Sequence, residues 1–197
     1  MRFNAPTNIV TVEPALEPVT PEDVKANAYV VDDSSDDTFI RTQLIPSARK
    51  MVETLANRSL ITQTRQQIYD YLPECFWLRY GPVQTVSSVT YTDYNQAVQT
   101  LSATLYDVDS NRIPGRIHQG YGKVWPASLS KTNAVKVTYV AGYGATGSSV
   151  PIIYRRAIIL LATHWYNNRD QFGCETDDMA CAVASMLALE GRTLEYA

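Results

Sequence analysis

The sequence predicts an α+β fold, with a helical core made from N-terminal and C-terminal helices and a central antiparallel β insert. Three observations carry this. Apolar residues recur at helical spacing between about residues 36 and 57. Short alternating segments separated by turn signals fill residues 59–144. A second helical pattern resumes at Pro151. With 197 residues the chain has the size of one domain and can bury enough surface to need no disulfide or metal staple.

Residues 1–18 carry Pro6, Pro14 and Pro18 and no sustained period, so they are expected to form an extended arm. The single domain is expected over 19–190, with a tail at 191–197. Thr20-Pro21-Glu22-Asp23 starts a short helix reaching about Tyr29. Thr20 can accept from orphan amides, Pro21 suits the first helical position, and the two acids face the positive end of the dipole. Asp32, Asp33, Asp36 and Asp37 follow as a solvated turn ending in caps. They lack the D-x-[DN]-x-[DN]-G frame of a calcium loop. The helix from about Asp36 to Asn57 carries Phe39, Ile40, Leu44, Ala48, Met51, Val52 and Leu55 on one stripe. Pro46 should kink or split it near Leu44.

The β insert is expected to contain strands at 63–71, 76–80, 87–92, 99–105, 112–118 and 134–140. Turn signals such as Gly81-Pro82, Asp93-Tyr94-Asn95 and Trp125-Pro126 separate them. The alternation of Val135, Val137 and Tyr139 with Lys136 and Thr138 marks a half-buried antiparallel strand. Helix then runs from Pro151 to about Asn168 with almost no polar face in its middle, so protein should surround it. A last helix spans about Thr176 to Glu190, with Ala180, Val183, Met186 and Leu187 on one side.

Composition narrows the function. Seventeen basic and 20 acidic residues give a net charge of −3, with the basic residues scattered, which argues against specific DNA binding. The 13 tyrosines hint at assembly. The N-terminal residues have no apolar h-region, so no secretory leader is expected, and no apolar run is long enough to span a membrane. Cys75, Cys174 and Cys181 lack metal spacing and are expected to stay reduced.

Gly142-Tyr143-Gly144-Ala145-Thr146-Gly147 matches G-x-G-x-x-G between a strand and a helix. A dinucleotide fold needs further parallel strands after that helix, and the remaining residues read as helical. The segment is therefore expected to be a connector turn, with a nucleotide-binding enzyme as the alternative. No nucleophile elbow exists. His164 sits in an apolar helix, as a core or interface residue. His118 ends a polar strand and is expected to face solvent. Neither catalytic, cofactor nor metal residues are assigned, and no enzyme is expected.

Five segments then occur in an order that resembles the head–tail connector, or neck adaptor, proteins of tailed bacteriophages, prophages and gene transfer agents. They are Val19–Lys25, Asp36–Arg49, Gly81–Tyr91, Val137–Gly144 and Val150–Arg169, and together they span about residues 19–170. The resemblance implies a virion structural protein, a ring of twelve copies below the portal, and a channel through which DNA passes without specific contact. It also implies the portal and a tail-completion or stopper protein as partners, a neck location after assembly in the host cytoplasm, and no membrane. The subunit interface is expected at Phe39, Leu44, Met51, Ile158, Trp165, Tyr166 and Arg169. Contact with the portal or another partner is expected at Met186, Leu189, Leu194 and Tyr196. Another neck or tail-completion role is the alternative within this class.

Overall fold

The computed structural model describes residues 6–30, 34–168 and 178–191. The chain divides into two compact units. One takes the residues up to 14 together with 62–142, and the other takes 15–61 and everything from 143 onward.

The first unit is all β. Strands β1 (Thr7–Val12), β2 (Gln63–Tyr69), β8 (Val135–Ala141), β4 (Val83–Thr92) and β5 (Val98–Thr100) form a five-stranded antiparallel sheet in the order β1-β2-β8-β4-β5. Strands β3 (Cys75–Leu78), β7 (Gly115–Gln119) and β6 (Tyr106–Asp109) form a second sheet in the order β3-β7-β6. The expected alternation of β8 holds, with Val135, Val137 and Tyr139 buried and Lys136 exposed. These side chains join Phe76, Leu78, Val89 and Ile117 in one apolar cluster.

Several expectations change in this unit. Residues 7–12, read from sequence as part of an arm, pair with β2, Thr7 opposite Ile68 and Val12 opposite Thr64. The stretch expected as a strand over 99–105 stops at Thr100, and Ser102 caps a 3-10 turn at Ala103–Leu105. β6 was not expected, because Asp107 and Asp109 break its apolar signal. The strand expected from Arg112 starts only at Gly115, after Pro114, which has no N–H to give a ladder. Gly115 itself is needed, since a Cβ there would lie 2.9 Å from a Val83 methyl.

β2 buries Gln63, Arg65, Gln67 and Tyr69, which are polar, and leaves Thr64, Gln66 and Ile68 half-covered. Polar groups can be buried there because partners meet them. The Gln67 amide nitrogen donates to the Trp77 carbonyl at 2.8 Å and to the Tyr69 hydroxyl at 2.6 Å, and its carbonyl oxygen accepts from the Arg79 amide at 3.1 Å. Asn8 donates to the Tyr139 hydroxyl at 2.7 Å and accepts from Arg65 at 3.0 Å. Arg65 also stacks on the Tyr80 ring, 4.0 Å from its centre. One polar knot therefore ties β1 to β2 and β8 and reaches β3.

The second unit is helical: α1 (Pro21–Ala28), α2 (Asp37–Phe39), a π-turn (Ile40–Leu44), α3 (Ile45–Ala56), α4 (Ile152–Asn167) and α5 (Asp178–Gly191). The capping of α1 is as expected and reciprocal. Thr20 accepts from the Asp23 amide at 3.3 Å, and the Asp23 carboxylate accepts from the Thr20 amide at 2.9 Å. Pro46 splits its helix at the expected place. The device is a π-turn, in which the Ile45 amide reaches back to the Ile40 carbonyl. Widening the turn here relieves the clash that a helical proline makes with the carbonyl four residues earlier. Val24, Ile40, Leu44, Ile45, Val52, Ile158, Leu161, Val183 and Leu187 fill the core. Arg49, buried, lies between Glu17 at 2.9 Å and Glu53 at 3.2 Å, and Glu53 also accepts from the Leu60 amide at 2.8 Å. Among the described residues no helix is long and apolar enough to cross a membrane.

Candidate functional site

The residues expected at a subunit interface separate into two groups. Leu44 and Ile158 lie inside the helical core of their own chain, and are closed to a neighbour. Their helical spacing put them on the right face, but that face packs inward. Phe39, Met51, Trp165 and Tyr166 are half-buried at the rim of the same core. The Tyr166 hydroxyl donates to Asp36 at 2.9 Å, and Asp37 pairs with Lys25 at 2.6 Å. Those two acids, expected to be solvated caps, instead hold neighbouring elements together.

α4 is not enclosed within its unit. Tyr154, Ala157, Ile158, Leu161, Ala162 and Thr163 are buried, while Ile152 is 69% exposed. In α5, Val183 and Leu187 enter the core and Met186 packs against it half-buried. Arg169, Leu194, Tyr196 and the side chain of Leu189 lie outside the described residues.

The glycine turn has a steric explanation. Gly142 has φ +137°, in the range that favours glycine. A Cβ on Gly144 would fall 2.5 Å from the Ser149 hydroxyl, and one on Gly147 would fall 2.4 Å from the Pro18 carbonyl oxygen. Two amides of the turn and two just after it are engaged within the chain. Gly142 donates to Pro82, Tyr143 to Leu60, Ser149 to Thr146 and Val150 to Gly147. β8, which precedes the turn, is flanked by antiparallel strands on both sides. The arrangement lacks the parallel βαβ frame of dinucleotide binding.

His118 differs from expectation. It is half-buried on β7, between Cys75 on β3 and Asp107 on β6, and its Nδ1 is buried without a hydrogen-bond partner. Burial pushes the Cys75 thiol up, more than nearby Arg116 pulls it down, so the group stays a neutral thiol at neutral pH. A nucleophile activated by an adjacent base is not formed. His164 sits at the end of α4, where Asn168 caps it by donating to its carbonyl at 2.9 Å. No group of three potential metal ligands converges among the described residues.

What the two units do present is apolar surface. In the β unit, Tyr71, Trp77, Tyr94, Tyr121 and Val98 are exposed. The tyrosine-rich composition hinted at such a surface, but nothing in the sequence said which rings would stay outside.

Comparison of the whole fold with solved structures finds chains of gene transfer agent particles among its matches. A chain in the neck of an empty gene transfer agent (GTA) particle, computed with C6 symmetry, superposes with a TM-score of 0.74 at 15% identity, over 92% of this chain and 94% of that one. A chain in the virion of a native gene transfer agent particle gives 0.64 at 16% identity, over 89% and 93%. A chain in the neck of a native GTA particle, computed with C12 symmetry, gives 0.60 at 17% identity, over 90% and 94%. The chain has the fold of a gene transfer agent neck component. This neck fold takes in both units, since the matches cover about nine-tenths of each chain. No family model and no curated protein matches the sequence.

Proposed function

We propose that this chain is a structural virion protein, a head–tail connector that assembles as a ring in the neck, below the portal, and lines part of the path taken by DNA. The observation that carries the reading is the neck fold over nearly the full length of the chain, in particles computed with C6 and C12 symmetry. Closing such a ring needs a heterologous contact, in which one surface of a copy meets a different surface of the next. The rim residues Phe39, Met51, Trp165 and Tyr166 supply part of that contact, and the exposed end of α4 at Ile152 extends it. Met186, half-buried on α5, contributes to contact with the portal or the tail-completion protein. The chain performs no covalent chemistry in this role.

The near-balanced charge fits the same role. A strongly basic lumen would hold phosphate and slow transit, and 17 basic against 20 acidic residues give the chain no overall basic excess. The test is the mass of the purified protein by light scattering, alone and with its portal, followed by negative-stain imaging. Rings with a central channel, or monomers that join a portal ring, are expected. A monomer that ignores the portal overturns the reading.

A further inference from the structure

The five-stranded sheet of the β unit ends in two strands that pair on one side only. β1 has β2 as its neighbour, and β5 has β4. Beyond those ladders no backbone group of residues 7–12 or 98–100 has a hydrogen bond among the described residues. Natural sheets commonly guard such edges with charge or proline. Thr7-Asn8-Ile9-Val10-Thr11-Val12 and Val98-Gln99-Thr100 carry neither. Ile9 and Val98 are 42% and 73% exposed. The second sheet ends differently. β6 carries Asp107 and Asp109, and along β3 the Trp77 carbonyl is taken by Gln67 at 2.8 Å and Tyr69 at 3.2 Å. Among the four described strands that end a sheet, only β1 and β5 are both open and uncharged. The register shift in β1 falls after Val10, so the regular stretch able to pair is Thr7–Val10 against Val98–Thr100.

The register of the sheet selects how a second copy fits. Every neighbouring pair is antiparallel, so β1, β8 and β5 run one way and β2 and β4 the other. Opposite residues form an unbroken row across all five strands, Thr7, Ile68, Lys136, Thr90 and Thr100, on one face. The two edges therefore match in strand direction and in face. Rotating one copy past another without turning it over brings its β1 against the other's β5 as a parallel pair. Joining like edges, β1 to β1 or β5 to β5, needs a two-fold axis and ends at a dimer. The unlike join can be repeated from copy to copy, and rings close by contacts of that kind.

We propose that β5 of one copy pairs with β1 of the next, so that the sheet runs on between copies with Thr100 beside Thr7 or Ile9. The partner is a second copy of this chain, and this choice of partner rests on the ring reading above. Ile9 and Val98, apolar and exposed in a single copy, are covered where the two edges meet.

The test combines Thr100→Cys with Thr7→Cys or Ile9→Cys in the full-length protein, over Cys75→Ser, Cys174→Ser and Cys181→Ser. A short thiol-to-thiol cross-linker is applied with and without portal. A ladder of linked copies is expected from at least one of the two pairs, and no linked species from any single cysteine. Hydrogen exchange of the wild type gives a second readout, in which the amides of β1 and β5 should slow at least about tenfold on assembly. Rings or portal-bound copies that show neither cross-links nor slowed exchange overturn the inference and leave the connector reading standing. Dimers linked through one of these cysteines alone also overturn it, because like edges are then pairing. If the paired variants give open ladders while no ring forms with or without portal, the edge contact stands and the connector reading falls. A protein that stays monomeric throughout overturns both.

Discussion

Gly147 shows at the scale of one residue what the glycine turn is for. Its missing Cβ leaves room for the Pro18 carbonyl oxygen, so Gly147→Ala must push backbone against backbone. We expect a loss of about 1–3 kcal/mol in urea denaturation. The loss should be unaltered by added dinucleotide, which a binding turn would not allow. The sequence displayed the glycines but not their reason, because Pro18 is remote in the chain and brought alongside only by folding. Tyr139 gives a second residue-scale prediction. Burial raises its hydroxyl from the usual 10 to about 12, and burial raises Tyr69 as well. A folded value above the unfolded one means that the contribution to stability is complete below pH 10 and is lost as pH rises toward 12. Denaturation midpoints should therefore fall between pH 10 and 12, and less steeply in Tyr139→Phe. That variant should also lose about 1–3 kcal/mol at neutral pH, since Asn8 and the Arg79 carbonyl lose their shared partner.

At the scale of elements, legibility followed how local the cause was. The α1 capping box and the split at Pro46 rest on residues within one turn of each other, and both were readable. Thr20→Ala is expected to cost about 1 kcal/mol through the lost cap, measured by denaturation. β1 was not readable. Thr7–Val12 has no charge and a weak period, and it becomes a strand only because β2 offers an edge. β2 itself has polar residues on its buried side, the reverse of the usual alternation, so its pattern located the strand without revealing its inner face. Asn8 links β1 to the buried network through Tyr139 and Arg65. In Asn8→Ala, hydrogen exchange of the amides in β1 should quicken at least about tenfold, while α4 stays protected. Equal exchange in variant and wild type would show that the ladder alone holds the strand.

At the scale of the whole molecule, the order of helices, strands and helices was plain from sequence because each long segment keeps its own period. The subunit-facing residues were not, since periodicity identifies an apolar face but not whether it turns toward the chain's own core; Leu44 and Ile158 did. Ile158→Ala should lower stability by about 2–5 kcal/mol. Hydrogen exchange should locate the loss in the helical unit, at residues 15–61 and 143–168, and leave the β unit protected. The path of the chain has a further consequence for synthesis. β1 leaves the ribosome before α1, yet its partner β2 follows only after α3, and β8, the central strand, comes near residue 140. The helical unit likewise waits for α4. At about 5–20 residues per second, the first strand spends several seconds without its neighbour while most of the polypeptide is still being made. Neither unit can be completed early, so a truncated translation product of this protein carries an open sheet edge and an uncovered helical core together, and quality-control machinery meets both at once.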